Sequence, residues 1–324
     1  MKLVLKSIST LFAAMLCTGA AMAQQSYPDK PIRWVVPYTP GGFTDNVTRM
    51  VTAKLQPILG ENIIIENKPG ANSIIGVEQV AKSAPDGYTI LTVIAAHASN
   101  MTIHKERMAS PQIQNLIPIS LVAVSPLIIT GSKQFAPNNV GELIAYAKAN
   151  PGKISFGSSG VGSAAHLTSE WLKQVAGIDM VHVPYKGTAP AVTDLISGNI
   201  QILVDVPSSM MKHVEADKVK ALGMFSKDRL KAAPNVPTLS QSGGPNLESS
   251  SWVMFLAPAG TPQAIVDKLS KAVAEVLKAP EMVQRFDDLA IIPVGNTPAE
   301  AKKYLTDETA KWAKVINTAG VKAE

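Results

Sequence analysis

The sequence predicts an α/β protein of two domains, and three observations carry that expectation. Short β-rich runs alternate with segments whose apolar residues recur at helical spacing. Removing an N-terminal export segment of 23 residues from the 324 leaves 301, more than one hydrophobic core usually organises. Two glycine-rich loops, Pro40-Gly41-Gly42 and Gly160-Val161-Gly162, each stand between a predicted strand and a predicted helix.

The export segment comes first in the chain. Lys2 and Lys6 precede an apolar stretch from Leu11 to Ala23, which ends Ala21-Met22-Ala23 before the polar Gln24-Gln25-Ser26. A short positive region, an apolar core too short for a permanent span and a small-x-small ending describe a signal peptide, residues 1–23, cleaved after Ala23. The only cysteine, Cys17, lies inside it. Disulfides, cysteine-ligated zinc and thiol nucleophiles are thereby excluded from the mature chain, which is expected in the periplasm. Without Lys2 and Lys6 the balance is 28 basic against 25 acidic residues. The basic residues are scattered, so nucleic acid is not an expected partner.

From Ile32 to Val36 the chain reads as a strand, and Val47, Met50, Val51, Leu55, Ile58 and Leu59 then fall at helical spacing, with Pro57 placed to bend or end the helix. A strand over 62–66, a helix over 74–81 and, after the turn Pro85-Asp86-Gly87, a strand over 88–94 complete the first block. The alternation resumes with a helix over 140–149, a strand over 154–156, a helix over 163–175 and a strand over 180–183. Next come a helix over 189–196, a strand over 200–206, a helix over 208–216 and a strand over 219–225. A strand over 252–257, a helix over 262–277 and a last helix from Pro298 to about residue 317 close the chain. Strands alternating with crossover helices imply parallel sheets. The extended apolar segments 120–130 and 249–258 bracket the later block. They are expected to cross between a discontinuous first domain, residues 24–124 with 251–324, and an inserted second domain, residues 125–250.

Both glycine loops feed helix starts. At the first, Gly41 and Gly42 permit close backbone approach, and Thr44 can cap a helix whose opening amides form an anion site. At the second, Ser158, Ser159, Gly162 and Ser163 offer hydroxyls and amides in the equivalent place. Two open sheets with such loop ends facing each other enclose a cleft. The match Gly160-x-Gly162-x-x-Ala165 to a dinucleotide fingerprint lacks its acid, since Asp179 precedes the next strand instead of ending it. No Gly-Lys-Ser/Thr follows either loop, and Val161 breaks the Gly-x-Ser-x-Gly elbow. His97, His104, His166, His182 and His213 are too dispersed for a metal site. No cofactor or metal is called for. Asp45 opens the first helix, and Asp205 interrupts an apolar strand at its cleft end, where an unpaired carboxylate is costly.

These residues together resemble the Bug-type solute receptors of tripartite tricarboxylate transporters. The resemblance runs through Tyr27-Pro28, Pro31-Ile32, Val35-Val36-Pro37-Tyr38 and Pro40-Gly41-Gly42 with Asp45 and Arg49. It continues in Glu66-Asn67-Lys68-Pro69-Gly70-Ala71, Pro85-Asp86-Gly87-Tyr88-Thr89, His182-Val183-Pro184-Tyr185-Lys186-Gly187 and Ala257-Pro258-Ala259-Gly260-Thr261-Pro262. It implies a periplasmic-binding-protein fold: two α/β domains joined by crossing strands, closing on a carboxylate by hinge motion. It also implies that backbone amides and ordered water hold the carboxylate. Carried onto this sequence, that falls on Tyr38, Gly42, Phe43, Thr44 and Asp45, on Ser158, Ser159, Gly162, Ser163 and His166, and on Asp205. His97 and Ser99, in the loop after the third strand, are further candidates. Asn72-Ser73 stands where the family has Gly-Gly.

The resemblance implies a monomeric receptor, not an enzyme. It would capture a dicarboxylate, tricarboxylate, aromatic carboxylate or acidic amino acid and pass it to the membrane components of a tripartite transporter. The rival reading is an exported enzyme acting on a small carboxylate, with Ser159 or His166 as the reactive group.

Overall fold

The alternation read from the sequence folds into two mixed sheets, each covered on both faces. The computed structural model describes residues 27–323; the signal segment 1–23 and its cleavage site lie outside the described residues. Strand β1 (Ile32–Val36) leads into helix α1 (Phe43–Leu59), followed by β2 (Ile63–Asn67), α2 (Ile74–Ala81), β3 (Thr89–Ile94) and α3 (Ala95–Ile103). Two single-turn helices, α4 (Lys105–Met108) and α5 (Pro111–Gln114), precede the long strand β4 (Ile117–Pro126). The second block runs β5 (Ile128–Ser132), α6 (Val140–Ala149), β6 (Ser155–Ser158), α7 (Ala164–Ala176) and β7 (Val181–Pro184). It continues with α8 (Thr188–Ser197), β8 (Ile202–Asp205), α9 (Pro207–Glu215) and β9 (Val219–Met224). The chain returns in β10 (Ser250–Ala257), α10 (Gln263–Lys278), α11 (Pro280–Asp288), β11 (Ile292–Pro293) and α12 (Pro298–Ala319).

Helix boundaries follow local chemistry. Gly60, at φ 79°, ends α1 with its N–H on the Gln56 carbonyl, so Pro57 sits in the last turn and does not stop the helix earlier. Asn139 caps α6 by accepting from the Glu142 amide at 2.8 Å. Thr297 and Glu300 form a reciprocal capping box at the start of α12.

The first sheet has the order β11-β4-β10-β3-β1-β2 and the second β7-β6-β8-β5-β9. One side of each sheet is parallel, as the crossover helices require: β1 pairs in parallel with β2 and β3, and β6 with β7 and β8. The remainder corrects the all-parallel expectation. Strand β10 runs antiparallel to both β3 and β4, and β5 antiparallel to both β8 and β9. The reason is that β4, β5 and β10 are not closed by crossover helices; they carry the chain between the sheets.

Those passages meet in a small knot of backbone bonds. The Leu127 amide donates to Ser249, the Ser249 amide to Phe225 and the Phe225 amide to Leu127, at 3.0, 3.0 and 2.8 Å. The first sheet is packed on one face by α1, α10 and α11 around Trp34 and Phe255, and on the other by α2, α3 and α12 around Trp252 and Trp312. Phe156, Leu172 and Leu222 pack one face of the second sheet, and Leu195, Leu203 and Met224 the other.

Candidate functional site

A cavity of about 940 Å³ lies between the two sheets at their loop ends. Its first wall is the loop from β1 to α1. Gly41 has φ +84°, where a side chain is strained, while Gly42 is extended at φ −78°, ψ 173° and takes the N-cap position without a side chain. The opening amides of a helix have no intrahelical acceptor. Gly42, Phe43 and Thr44, which carry such amides here, line the cavity. A Cβ built on Gly42 would meet only the Thr39 carbonyl, at 3.9 Å.

Asp45 has a different place from the one expected of a ligand-contacting residue. Its side chain is 2 % exposed and is absent from the cavity wall. One carboxylate oxygen accepts from the Gly41 amide and from Arg49 Nε, both at 2.9 Å, and the other from Asn67 Nδ2 at 2.9 Å. Burial opposes its charge, but these donors and the Arg49 charge outweigh burial and hold the carboxyl below the usual range. Asp45 is the strut of the loop: it fixes Gly41, and Asn67 also holds the Tyr38 carbonyl at 3.0 Å.

The second wall is the loop from β6 to α7. Ser163 caps α7 by accepting from the His166 amide at 3.2 Å, and it lines the cavity with Ser159. Ser158, Gly162 and His166 turn inward. The Gly162 amide donates to His166 Nδ1 at 3.1 Å, which leaves the proton of the neutral ring on Nε2. Ser158 Oγ lies 2.7 Å from His182 Nε2, and the two imidazoles stack at 3.7 Å with 10° between their planes. Burial, then the mutual repulsion of two charged rings and Lys173, pushes His166 down to about 3; burial and Lys173 push His182 to about 4. Both rings are neutral at ordinary pH and serve as packing beneath the loop. Ser159, one of the serines lining the cavity, makes no hydrogen bond with His166 among the described residues, and the serine–histidine contact that is present, Ser158 with His182, is formed by residues that do not line the cavity.

The segment after β3 is helix, not loop, and it begins with no intervening turn. Ala95 to Asn100 are all buried, so α3 supports the site from below. Ser99 Oγ donates to the Gly162 carbonyl at 2.8 Å, a contact between the two lobes. His97 is 1 % exposed, with Nδ1 unpartnered, and burial lowers its pKa to about 4. Neither residue lines the cavity. Asn72 does, and it donates to Asn100 Oδ1 at 3.1 Å and toward the Val161 carbonyl at 3.4 Å. Asn72 and Ser73 adopt φ 47° and 79°, a backbone that the Gly-Gly of the resemblance would take without strain.

The third wall contains Asp205 and several residues not singled out from sequence. Asp205 ends β8 at the cavity. One oxygen accepts from Thr188 Oγ1 at 2.6 Å and the other from the Val206 amide at 2.7 Å. Burial raises its pKa above the ordinary value, and these two donors only partly offset it. Beside it, α8 and α9 contribute Thr188, Ser208, Ser209 and Lys212, preceded by Lys186 and by Gly187 at φ 104°. Of the residues expected from sequence, the cavity therefore gathers Tyr38, Gly41, Gly42, Phe43, Thr44, Ser159, Ser163 and Asp205.

The chain is similar to known proteins along most of its length. Residues 47–321 match the TctC family, described as tripartite tricarboxylate transporter family receptor. The protein BugT of Bordetella pertussis is 32 % identical over 321 residues, which is 98 % of each chain. The structure of the periplasmic binding protein BugD is similar with a TM-score of 0.80 and 35 % identity, covering 92 % of this chain and 100 % of that one. R. palustris Rpa4515 with adipate gives 0.83 at 31 %, covering 91 % and 99 %. MatC (Rpa3494) from Rhodopseudomonas palustris with bound malate gives 0.79 at 28 %, covering 90 % and 100 %.

Proposed function

The chain belongs to the tripartite tricarboxylate transporter receptor family, and we propose that it captures a small carboxylate in the periplasm and delivers it to the membrane components of a tripartite transporter. Its two domains, residues 24–124 with 251–324 and residues 125–250, close on the ligand by bending at the Leu127–Phe225–Ser249 knot. The observation that carries this reading is the start of α1. Gly42, Phe43 and Thr44, which carry its opening amides, line a cavity, Gly42 has no side chain to cover them, and the nearby acid, Asp45, is already occupied by Gly41, Arg49 and Asn67. Such a helix start favours an anion and needs no cationic side chain. That relatives are solved with adipate and with malate supports the same ligand class.

The test is a thermal-shift screen of refolded, ligand-free protein against mono-, di- and tricarboxylates, aromatic carboxylates and acidic amino acids. A ligand at a hundred times its Kd stabilises by about 2.7 kcal/mol, a readily measured rise. Stabilisation without turnover is the expected result. Steady-state conversion of a stabilising compound, or no response to any carboxylate, would overturn the proposal.

Asp205 sets the choice among carboxylates in this reading. An amine or hydroxyl on the ligand can donate to it, whereas a bare carboxylate placed against it is repelled. Asp205→Asn is expected to shift the affinity ratio toward plain di- and tricarboxylates and away from acidic amino acids. Its effect on the empty protein follows from the raised pKa. Protonated Asp205 is favoured by folding, so that contribution is complete below the unfolded pKa and disappears as pH rises through the folded one. The asparagine variant should therefore have a melting temperature at pH 7 equal to or above that of the parent, and the advantage should shrink in acid. An equal loss of affinity for both ligand classes would reduce Asp205 to a structural acceptor.

A further inference from the structure

We infer that the ligand carries a substantial apolar body behind its carboxylate, an aromatic ring or a medium-length hydrocarbon chain. The inference rests on the carboxylate-receptor reading above and concerns the rest of the same cavity. Beyond the amide cradle, Phe43, Val47 and Met50 of α1 all line the cavity. They fall at i, i+4 and i+7, one apolar stripe that leads away from the cradle for about 10 Å along the helix. Leu289, after α11, extends it. The facing lobe offers Val192 and Ile196 of α8, spaced i and i+4, to the same cavity. Phe43, Met50, Leu289 and Ile196 are only partly buried, so apolar surface remains open on both sides of the slot.

A ligand's carboxylate held at the cradle necessarily projects the remainder of the molecule toward one of the other walls. A short hydroxy-diacid directed along the stripe would set polar groups against the apolar side chains of Phe43, Val47 and Ile196; the polar groups beside the stripe are Asn46 and Thr193 on the cavity wall and Arg285, whose Nε is 3.0 Å from Met50 Sδ. A hydrocarbon or ring there removes apolar area from water on two sides, worth about fourfold in affinity for each methylene buried.

The experiment is calorimetric titration of refolded, full mature protein with butanoate, hexanoate, octanoate, benzoate and malate, and with hexanol as the uncharged control. Affinity should rise about twofold to fourfold per added methylene, hexanoate and benzoate should bind more tightly than malate, and hexanol should not bind. Ile196→Asn should flatten the dependence on chain length, costing octanoate and hexanoate more affinity than butanoate, a loss of the methylene increment. Ile196→Ala is the milder variant should the asparagine disturb folding. A flat series, or malate as the tightest ligand, would overturn this inference and leave the carboxylate receptor standing. Hexanol binding as well as hexanoate, or no acid binding at all, would overturn the carboxylate reading itself.

Discussion

Gly42→Val should cost at least about a hundredfold in carboxylate affinity while leaving the melting temperature of the empty protein almost unchanged. The two halves of that expectation come from different facts. Gly42 has an extended backbone that any residue adopts, and an added Cβ meets nothing nearer than the Thr39 carbonyl at 3.9 Å, so the fold has room for the side chain. The same side chain would occupy the cavity over the opening amides of α1. Hydrogen bonds to a charged acceptor are worth about 1.5–3 kcal/mol each, so losing two of them accounts for the factor. Gly41→Val is the contrast: φ +84° there strains a β-branched residue, and stability should fall together with binding. Calorimetric titration and thermal melts of both variants decide the matter. Near-native affinity in Gly42→Val would place the carboxylate elsewhere.

Much of the architecture was legible because the chain marks its own boundaries. Strand 32–36 and helices 74–81 and 140–149 have the bounds expected from sequence, each lying between turn residues or caps. The misses have physical causes. Helix α3 is buried from Ala95 to Asn100, so it shows no amphipathic period, and it follows β3 without a turn residue. The direction of the antiparallel strands is not legible in the sequence because the alternation rule describes crossover units. It does not describe strands such as β4 and β10 that link two lobes.

At the site, both glycine loops were legible because strand, glycine and helix start stand in sequence order. What lay beyond sequence was which way each side chain turns. Asp45 faces its own loop because Gly41, Arg49 and Asn67 satisfy it there, and Asn67 arrives from a different strand. His166 is claimed by Gly162 and by a stack with His182, a partner on the neighbouring strand β7. The third wall was legible at Asp205 alone. Gly187 before Thr188, and Pro207 opening α9, repeat the strand-to-helix junction of the first two walls.

The largest effect on stability is expected from Glu308→Ala, at a residue outside the cavity wall. Glu308 Oε2 accepts from the indole nitrogens of Trp252 and Trp312, both at 3.0 Å, and its other oxygen pairs with Lys311. Both tryptophans are fully buried. Trp252 stands on β10, just after the chain returns from the second lobe, and Trp312 packs edge-on against Trp171 of α7 in that lobe, centroids 6.1 Å apart. One carboxylate therefore fastens the returning strand to the C-terminal helix. Alanine leaves two buried indole donors without an acceptor, each costing about 1–3 kcal/mol, so urea unfolding should register a loss of about 2–6 kcal/mol. Glu308→Gln keeps an oxygen for both indoles and loses only the charge, so its loss should be clearly smaller. Because Glu308 does not line the ligand cavity, affinity per folded molecule should stay near that of the parent. A change below about 0.5 kcal/mol in Glu308→Ala, the scale of ordinary surface substitutions, would mean that the indoles find other acceptors and that the fastening is incidental.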